Sequence, residues 1–480
     1  MKICLSIAPS SMDEAFALLR SEAASYDLAE VRIDTIKDLD LGLLLKKPRP
    51  PLIITNRKVS EGGNFQGGAD EQLQILTRAI ALGAEYVDIE ISWGGSHVSE
   101  LVSRSGRCLI ICSYHNFQET PRDLISTYRK IRRTGADIVK IAVTARDISD
   151  NNKIYGLLRN SKTDRQKTIG LCMGDAGESS RVLSGIYGGF LTFGRPPSRG
   201  GTAPGQLCVI DLKKTFHVGS LDRRTKIFGL IGNPVKFSSG IYEHNRRFLN
   251  KKANAVYVNF LVTDIKRFLE DYRGRFTGLS VTMPFKQEAV PLVDSLDENA
   301  RELNILNTII NKRGSLKGYN TDLEAIVSIL GKRTSLRNKS VVVLGTGATS
   351  KTMAYAAVRS GAKTTVVGRS EKKARSLARE LNCAWTTFEE FSETSADILM
   401  NGTPVGMPGR KAAASQAPEG SILPDGFLKK GMLVFDAVYN PPNTRLLSDG
   451  RRAGCRIISG LELFKCQARL QSKLFLDCIP

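Results

Sequence analysis

Over the first 200 or so residues, short apolar runs rich in β-branched side chains alternate with stretches whose apolar positions repeat at helical spacing. The runs "KICLSI", "LAEVRID", "PLIITNR", "YVDIEI", "CLIICSYH", "IVKIAV", "TIGLCMG" and "FLTFG" predict eight strands. Amphipathic segments lie between several of them, including Glu71 to Leu82 and Pro121 to Arg133, and these end near a glycine in "LGAEY" and "RTGAD". Eight strand-helix repeats in about 200 residues match the size and period of a compact (β/α)8 TIM barrel. An open doubly wound sheet needs a point where the strand order reverses, and the pattern shows none.

The polar stretch "HVGSLDRRTK" then interrupts the pattern, and a new strand, "KIFGLIG", opens at Lys226. The barrel is expected over 1–218 and an α/β substrate domain over 225–322. A Rossmann unit opening at "KSVVVLGTGATS" is expected over 323–459. A helix from Gly460 to Leu476, in a terminal segment 460–480, is expected to pack back toward the substrate domain. Several domains suit 480 residues, more than one core usually supports. The run "RKAAASQAPEGS" at 410–421 reads as a loop.

Charge and cysteine content narrow the function classes. Lys and Arg number 69 against 48 Asp and Glu, a net +21, which fits nucleic acid, small anionic substrates or a basic surface. The basic residues are scattered in pairs such as Lys46-Lys47 and Arg132-Arg133, without the long runs or aromatic interleaving of a nucleic-acid binder, which leaves small anionic substrates or a basic surface. Nine cysteines with no Cys/His ligand spacing suit a reducing compartment, the cytoplasm, and predict no metal site. No apolar run reaches the length of a membrane span, and the N-terminus lacks a signal-peptide pattern.

Lys140 stands inside "GADIVKIAV", where a buried ammonium must snorkel out, find a partner or lose its proton. Glu30, Arg32, Arg57, Glu61, His115, Arg181 and Gln206 likewise sit inside or just after strands, at the end where a barrel gathers its chemistry. Each taken singly reads as a salt-bridge member or snorkelling residue; together they outline one mouth. Of the three options for Lys140, loss of the proton is favoured, because a neutral lysine forms a Schiff base with a ketone while a histidine on the preceding strand moves protons.

The motifs "EVRID", "TNRKVSEGG", "SYHNFQETP", "GADIVKIAV", "SSRVLSG" and "APGQ", in this order, closely resemble type I 3-dehydroquinate dehydratase over residues 1 to 217. The resemblance implies that Lys140 forms an imine with the C3 ketone of dehydroquinate. His115 would take the C2 proton and help expel the C1 hydroxyl, and Arg181 would hold the carboxylate. Glu30, Arg32, Arg57, Glu61 and Gln206 would contact hydroxyls or orient the catalytic pair, with Thr202 standing where a serine is expected.

In "VVVLGTGATS" a strand leads through Gly345, Thr346, Gly347 and Ala348 into a helix, the form of a dinucleotide phosphate-binding turn. The next strand ends without an acidic residue, and Arg369, Ser370 and Lys373 suit a 2′-phosphate, so NADP is expected over NAD. Lys286 and Asp322 could be a simple salt bridge. Around them, however, "GNPVKFSS", "SVTMPFK", "ILNT", "YNTD", "GTGA", "NGTPVGM", "DAVYNPPNT" and "GLELFKCQ" resemble shikimate dehydrogenase from Lys226 to the C-terminus. The resemblance implies a Lys286-Asp322 proton relay, with Ser238, Thr282, Asn307, Tyr439 and Gln467 gripping the substrate. Thr403, Gly406 and Met407 would line the nicotinamide. Two positions depart from that family: Gly240 replaces a serine and Ser280 an asparagine. Joined in one chain, the two resemblances imply dehydration of dehydroquinate followed by reduction of its product to shikimate. The alternatives are quinate as the substrate of the second half, or one half kept as a non-catalytic scaffold.

Overall fold

All eight expected strands form, as β1 (Lys2–Ile7), β2 (Leu28–Arg32), β3 (Leu52–Thr55), β4 (Tyr86–Glu90), β5 (Leu109–Asn116), β6 (Ile138–Thr144), β7 (Lys167–Met173) and β8 (Leu191–Gly194). They are seen in a computed structural model that describes residues 1–21, 23–236, 238–391, 395–407, 423–424 and 426–479; the expected loop at 410–421 lies outside these. The strands pair in parallel in the order β7-β6-β5-β4-β3-β2-β1-β8, and the Phe190 N–H donates to Thr168 O at 2.8 Å where β8 returns to β7. The expected helices form at Ala69–Ala81 and Leu124–Arg132. The second begins later than its apolar pattern because the Asp123 side chain accepts from the Ser126 N–H, capping the helix there.

Strand parity explains where the barrel's polar groups go. Cys4, Leu28, Ile53, Tyr86, Ile111, Ile138, Ile169 and Leu191 pack into one buried cluster that fills the lower interior. Side chains two residues further along a strand share that face. The same inward positions therefore continue as Ser6, Glu30 then Arg32, Thr55 then Arg57, Asp88 then Glu90, Ser113 then His115, and Lys140. On β1 to β5 the inward face runs from apolar at the amino end to polar at the carboxyl end, while β7 and β8 stay apolar through Met173 and Phe193, and this gradient makes one mouth of the barrel chemical.

The compact unit containing the barrel spans Met1–Val235 and also takes in Asn245–Tyr272. The added segment contributes β10 (Ala255–Leu261), which pairs in parallel with β9 (Lys226–Gly232), and the helix Ile265–Tyr272. Asn245 locks β10 in place: its Nδ2 donates to Tyr257 O and its Oδ1 accepts from Tyr257 N, both at 2.8 Å.

The second unit comprises Lys236–His244 and Arg273–Pro480. In it, β11 (Gly278–Val281), β13 (Thr308–Lys312) and β14 (Ser315–Tyr319) pair antiparallel, with β12 (Ser295–Leu296) parallel to β14. A separate parallel sheet follows, built from β15 (Ser340–Leu344), β16 (Lys363–Gly368), β17 (Ala384–Thr387), β18 (Ile398–Asn401), β19 (Leu433–Asp436) and β20 (Arg456–Ile458). Its order, β17-β16-β15-β18-β19-β20, is the doubly wound dinucleotide-binding order, with the reversal between β15 and β18. The helix expected near the C-terminus forms over Gly460–Leu476 and opens with a Ser459/Glu462 capping box.

Asn245→Ala removes both side-chain partners of a buried strand residue, so it is expected to destabilise the protein by about 2–4 kcal/mol. Equilibrium unfolding in urea checks this, and an unchanged midpoint would count against the strand-locking role.

Candidate active sites

Lys140 is 4% exposed, and its amine sits among polar partners rather than in a dry pocket. Its Nζ lies 3.1 Å from Glu30 Oε1 and 2.9 Å from Asp88 Oδ2, and 4.3 Å from the centre of the Phe193 ring. The sequence reading favoured a lysine kept partly neutral; the structure instead supplies carboxylate partners, the arrangement that makes a buried ammonium tolerable. Burial alone would raise Glu30 and Asp88, but Lys140 and Arg57 outweigh it and hold both carboxyls below their usual range.

Arg57 is the hub of this cluster. Its guanidinium meets Asp88 Oδ1 at 2.8 Å, Glu90 Oε1 at 3.0 Å and Ser113 Oγ at 2.9 Å. Burial works against its charge, yet Asp88 and Glu90 more than reverse this and push it above the ordinary arginine value. Arg57 therefore spends its donors on the strands of the barrel. Arg32 is engaged in a similar way, gripping Asp34 in a fork at 2.9 and 2.7 Å.

His115 points the other way in charge. Burial, reinforced by Arg57 and Lys140, holds its pKa well below 6.5, so the ring is neutral at physiological pH. Its Nδ1 lies 2.9 Å from Glu61 Oε2, and that same oxygen accepts the His115 backbone N–H. The shared oxygen acts as an acceptor, so Nδ1 carries the proton and Nε2 keeps its lone pair. Burial raises Glu61, whose other oxygen accepts from Ser92.

Glu30, Arg32, Arg57, Glu61, His115, Lys140, Arg181, Thr202 and Gln206 line one cavity. Arg181 is 1% exposed; one of its terminal nitrogens donates to Pro204 O at 2.8 Å, while its Nε has no hydrogen-bond partner among the described residues. Burial lowers it to about 10. A buried guanidinium with an open donor in a cavity is suited to an anion. Thr202 Oγ1 sits 2.7 Å from Ser6 Oγ, whose hydroxyl also bonds Glu30 Oε2 at 2.6 Å, and Gln206 Nε2 donates to Thr202 at 3.1 Å. Sequence reasoning passed over Asp88, although Asp88 and Glu90 alternate inside "YVDIEI" as conspicuously as Lys140 does in its own strand.

In the second unit, Lys286 Nζ lies 2.6 Å from Asp322 Oδ2, and Asp322 occupies the first turn of helix Thr321–Gly331. Asn307 is fastened beside it: its Nδ2 donates to Thr321 Oγ1 at 2.9 Å and its Oδ1 accepts from Thr321 N at 2.9 Å. The hydroxyl of the half-buried Tyr439 bonds Ser238, and its ring stacks on Phe464 at 4.8 Å. Thr282 follows β11 and is half-buried, and Gln467 is half-buried in helix Gly460–Leu476. One turn beyond Gln467, Gln471 escaped the sequence reading. It accepts from Ser280 Oγ at 2.8 Å and donates to Asn307 O at 2.9 Å, so the Ser280 hydroxyl is engaged within the protein. Gly240, at the start of its helix, directs its N–H to Ser238 Oγ at 3.2 Å.

The turn after β15 fits a dinucleotide phosphate. Gly345 has φ +99°, and a Cβ there would fall 2.6 Å from Ser350 Oγ and 2.8 Å from Thr403 Cγ2. Gly347 caps helix Ala348–Arg359 without a side-chain hydrogen bond, and a Cβ there would meet nothing within 4 Å, which leaves room for an anion at this helix N-terminus. Thr346 closes over the end of β16, its methyl 2.8 Å from where a Gly368 Cβ would sit. Beyond β16 come Arg369, then Ser370, which caps the next helix by accepting from Lys373 N–H, with the Lys373 side chain exposed. After β18, Asn401 Oδ1 accepts from Thr403 N and Oγ1, tightening the turn that leads through Gly406, at φ +99°, to Met407. Among the described residues no group of three His, Cys, Asp or Glu side chains is placed to hold a metal ion.

The His115 assignment is checked by ¹⁵N NMR: a neutral, Nδ1-protonated ring at pH 6.5 is expected, and a half-protonated ring at that pH contradicts it.

Comparison with known proteins covers both halves of the chain. The family model for type I 3-dehydroquinase matches residues 3–222, that for the shikimate dehydrogenase substrate binding domain residues 230–309, and that for shikimate/quinate 5-dehydrogenase residues 328–405. The chloroplastic bifunctional 3-dehydroquinate dehydratase/shikimate dehydrogenase of Arabidopsis thaliana is 34% identical over 501 residues, spanning 98% of this chain and 81% of its own length. The shikimate biosynthesis protein AroDE of Chlamydia pneumoniae is 28% identical across 98% of this chain and 95% of its own. An NADP-dependent shikimate dehydrogenase of Pyrococcus abyssi is 36% identical over 53% of this chain and 94% of its own. The chain belongs to the bifunctional 3-dehydroquinate dehydratase/shikimate dehydrogenase family.

Proposed function

We propose that Lys140 and His115 dehydrate 3-dehydroquinate and that Lys286 and Asp322 assist reduction of the resulting 3-dehydroshikimate to shikimate. The observation that carries the reading is the barrel mouth, where the Lys140 amine, a neutral His115 and the open Arg181 donor line one cavity.

Arg181 takes the substrate carboxylate, which restores a partner to its buried charge. Lys140, after giving up a proton, attacks the C3 carbonyl and forms an iminium with release of the carbonyl oxygen as water. The iminium acidifies C2, and His115 Nε2 removes that proton. His115 then returns it to the C1 hydroxyl, which leaves as water as the C1–C2 double bond forms. Water hydrolyses the imine, freeing 3-dehydroshikimate and Lys140. Glu61 keeps His115 in the required tautomer. Glu30 and Asp88 balance the lysine charge before attack and the iminium charge after it, while Arg57 keeps those carboxylates in place. Thr202 and Gln206, fastened to each other and to Ser6, form a polar wall for substrate hydroxyls.

NADPH, when bound, supplies hydride to C3 of 3-dehydroshikimate. Lys286 donates a proton to the C3 oxygen, and Asp322, 2.6 Å away, holds the ammonium in position. Ser238, Tyr439, Asn307, Thr282 and Gln467 grip the carboxylate and hydroxyls; with Gly240 in place of a serine, the carboxylate receives one side-chain hydroxyl fewer. Gly345, Thr346, Gly347 and Ala348 cradle the pyrophosphate, and Arg369, Ser370 and Lys373 take the 2′-phosphate. Thr403, Gly406 and Met407 border the nicotinamide.

The partners this reading requires are small anionic acids, not nucleic acid or a membrane. No helix among the described residues is long and apolar enough to cross a membrane. All nine cysteines are free, which fits a reducing compartment such as the cytoplasm; the Arabidopsis relative is chloroplastic.

A coupled assay with dehydroquinate and NADPH separates the halves. Lys140→Ala is expected to stop NADPH oxidation from dehydroquinate but not from added 3-dehydroshikimate; Lys286→Ala slows oxidation from either by about a hundredfold or more. Dehydration at the wild-type rate by Lys140→Ala would overturn the dehydratase assignment, and faster turnover with quinate than with shikimate would overturn the shikimate assignment.

A further inference from the structure

Residues Asn245–Tyr272 fall inside the span matched by the shikimate dehydrogenase substrate-binding model, yet they belong to the same compact unit as the barrel. Helix Ile265–Tyr272 ends in Tyr272, which is buried, and its hydroxyl donates to Ile148 O at 2.7 Å. That carbonyl also accepts from Asn151 Nδ2 at 2.9 Å, and the second hydrogen on this nitrogen goes to Ala176 O at 2.8 Å. Asn151 is itself fully buried. Ala176 lies in the single turn Asp175–Gly177, which runs straight into helix Glu178–Leu183, the carrier of Arg181. Three hydrogen bonds thus connect Tyr272 to the base of the arginine helix.

A helix of six residues has too few internal bonds to hold its own position, so its neighbours set the direction of Arg181. On one side it is pinned to β7, where Ser180 Oγ accepts from Cys172 N at 2.8 Å. A Cβ at Gly177 would fall 2.6 Å from the Cys172 carbonyl, so the turn is pressed flat against that strand. On the other side Asn151 supplies the bond to Ala176, and Tyr272 shares the Ile148 carbonyl that Asn151 holds. The Arg181 head has little else to steady it, with one terminal nitrogen on Pro204 O and Nε open.

We infer that Asn151 and Tyr272 are positioning residues for the dehydratase carboxylate site, so that a residue of the dehydrogenase-matched segment tunes the affinity of the barrel for its anionic substrate. The inference rests on the reading of Arg181 as the carboxylate holder. Lost alignment of a binding group weakens substrate and transition state alike, so the effect belongs in KM and not in kcat.

Dehydratase kinetics on the full chain test this through a double-mutant cycle. Tyr272→Phe removes the hydroxyl and keeps the ring, which stacks on Phe268 at 4.7 Å. It is expected to raise KM for dehydroquinate about three- to tenfold, the worth of one hydrogen bond, with kcat within about twofold. Arg181→Ala raises KM further, and in that background Tyr272→Phe adds nothing more. Asn151→Ser gives the same pattern and serves if Tyr272→Phe does not fold. An unchanged KM, an equal-fold rise with and without Arg181, or a fall in kcat with KM constant would overturn the positioning role. If Arg181→Ala itself leaves KM unaltered, the underlying assignment of Arg181 fails instead.

Discussion

Two cations and three carboxylates share the barrel interior, and their mutual pairing is the constraint on which the dehydratase half depends. Lys140 and Arg57 are almost wholly out of water, as are Glu30, Asp88 and Glu90. Removing one partner from such a set leaves an uncompensated buried charge, which typically costs about 3–5 kcal/mol. Asp88 divides its two oxygens between Arg57 and Lys140, and Glu30 divides its own among Lys140, Ser6 and Thr55. The lysine is thereby held rigidly by neighbours on other strands, with its charge accounted for before substrate arrives. Burial, reinforced by Arg57 and Lys140, keeps His115 neutral. A fixed amine and a neutral imidazole therefore share one buried setting.

The second unit relies on backbone shape at its cofactor turn. Gly345 and Gly402 are glycines because Ser350 occupies the space a side chain would need; a Cβ at Gly402 would lie 2.7 Å from the Ser350 backbone nitrogen. The strand ends of β15 and β18 can then approach the first turn of helix Ala348–Arg359. Around the substrate residues the fastening is by side chain: Gln471 ties the C-terminal helix to β11 and β13, and Asn320 caps the helix carrying Asp322 by accepting from Leu323 N–H. The serine that replaces asparagine at position 280 has a physical role in this arrangement, as the donor to Gln471.

What could be read in the sequence was local. The eight barrel strands, the glycine turn and the long final helix each announce themselves within a few residues, through period-two patterning, a strand-glycine-helix succession and a run of helical character. Lys140 stood out for the same reason, as one charge in an apolar strand. Its partners did not, because Asp88 and Glu30 lie 52 and 110 residues away in the chain and meet it only when the barrel closes. A charge in a strand signals burial; whether it is neutralised by a partner or by losing a proton depends on contacts that no local pattern encodes. Gln471 was hidden similarly, since its bond to Asn307 spans 164 residues. The resemblance in ordered motifs supplied residue roles that spacing alone could not.

The central claim is that the Lys140 amine, rather than that of any other lysine, is the group that meets the substrate ketone. Borohydride reduction in the presence of dehydroquinate, followed by peptide mass spectrometry, tests it most directly. The account predicts one reduced adduct per chain, on the peptide containing Lys140. No adduct, or an adduct on another lysine with Lys140 unmodified, would contradict it.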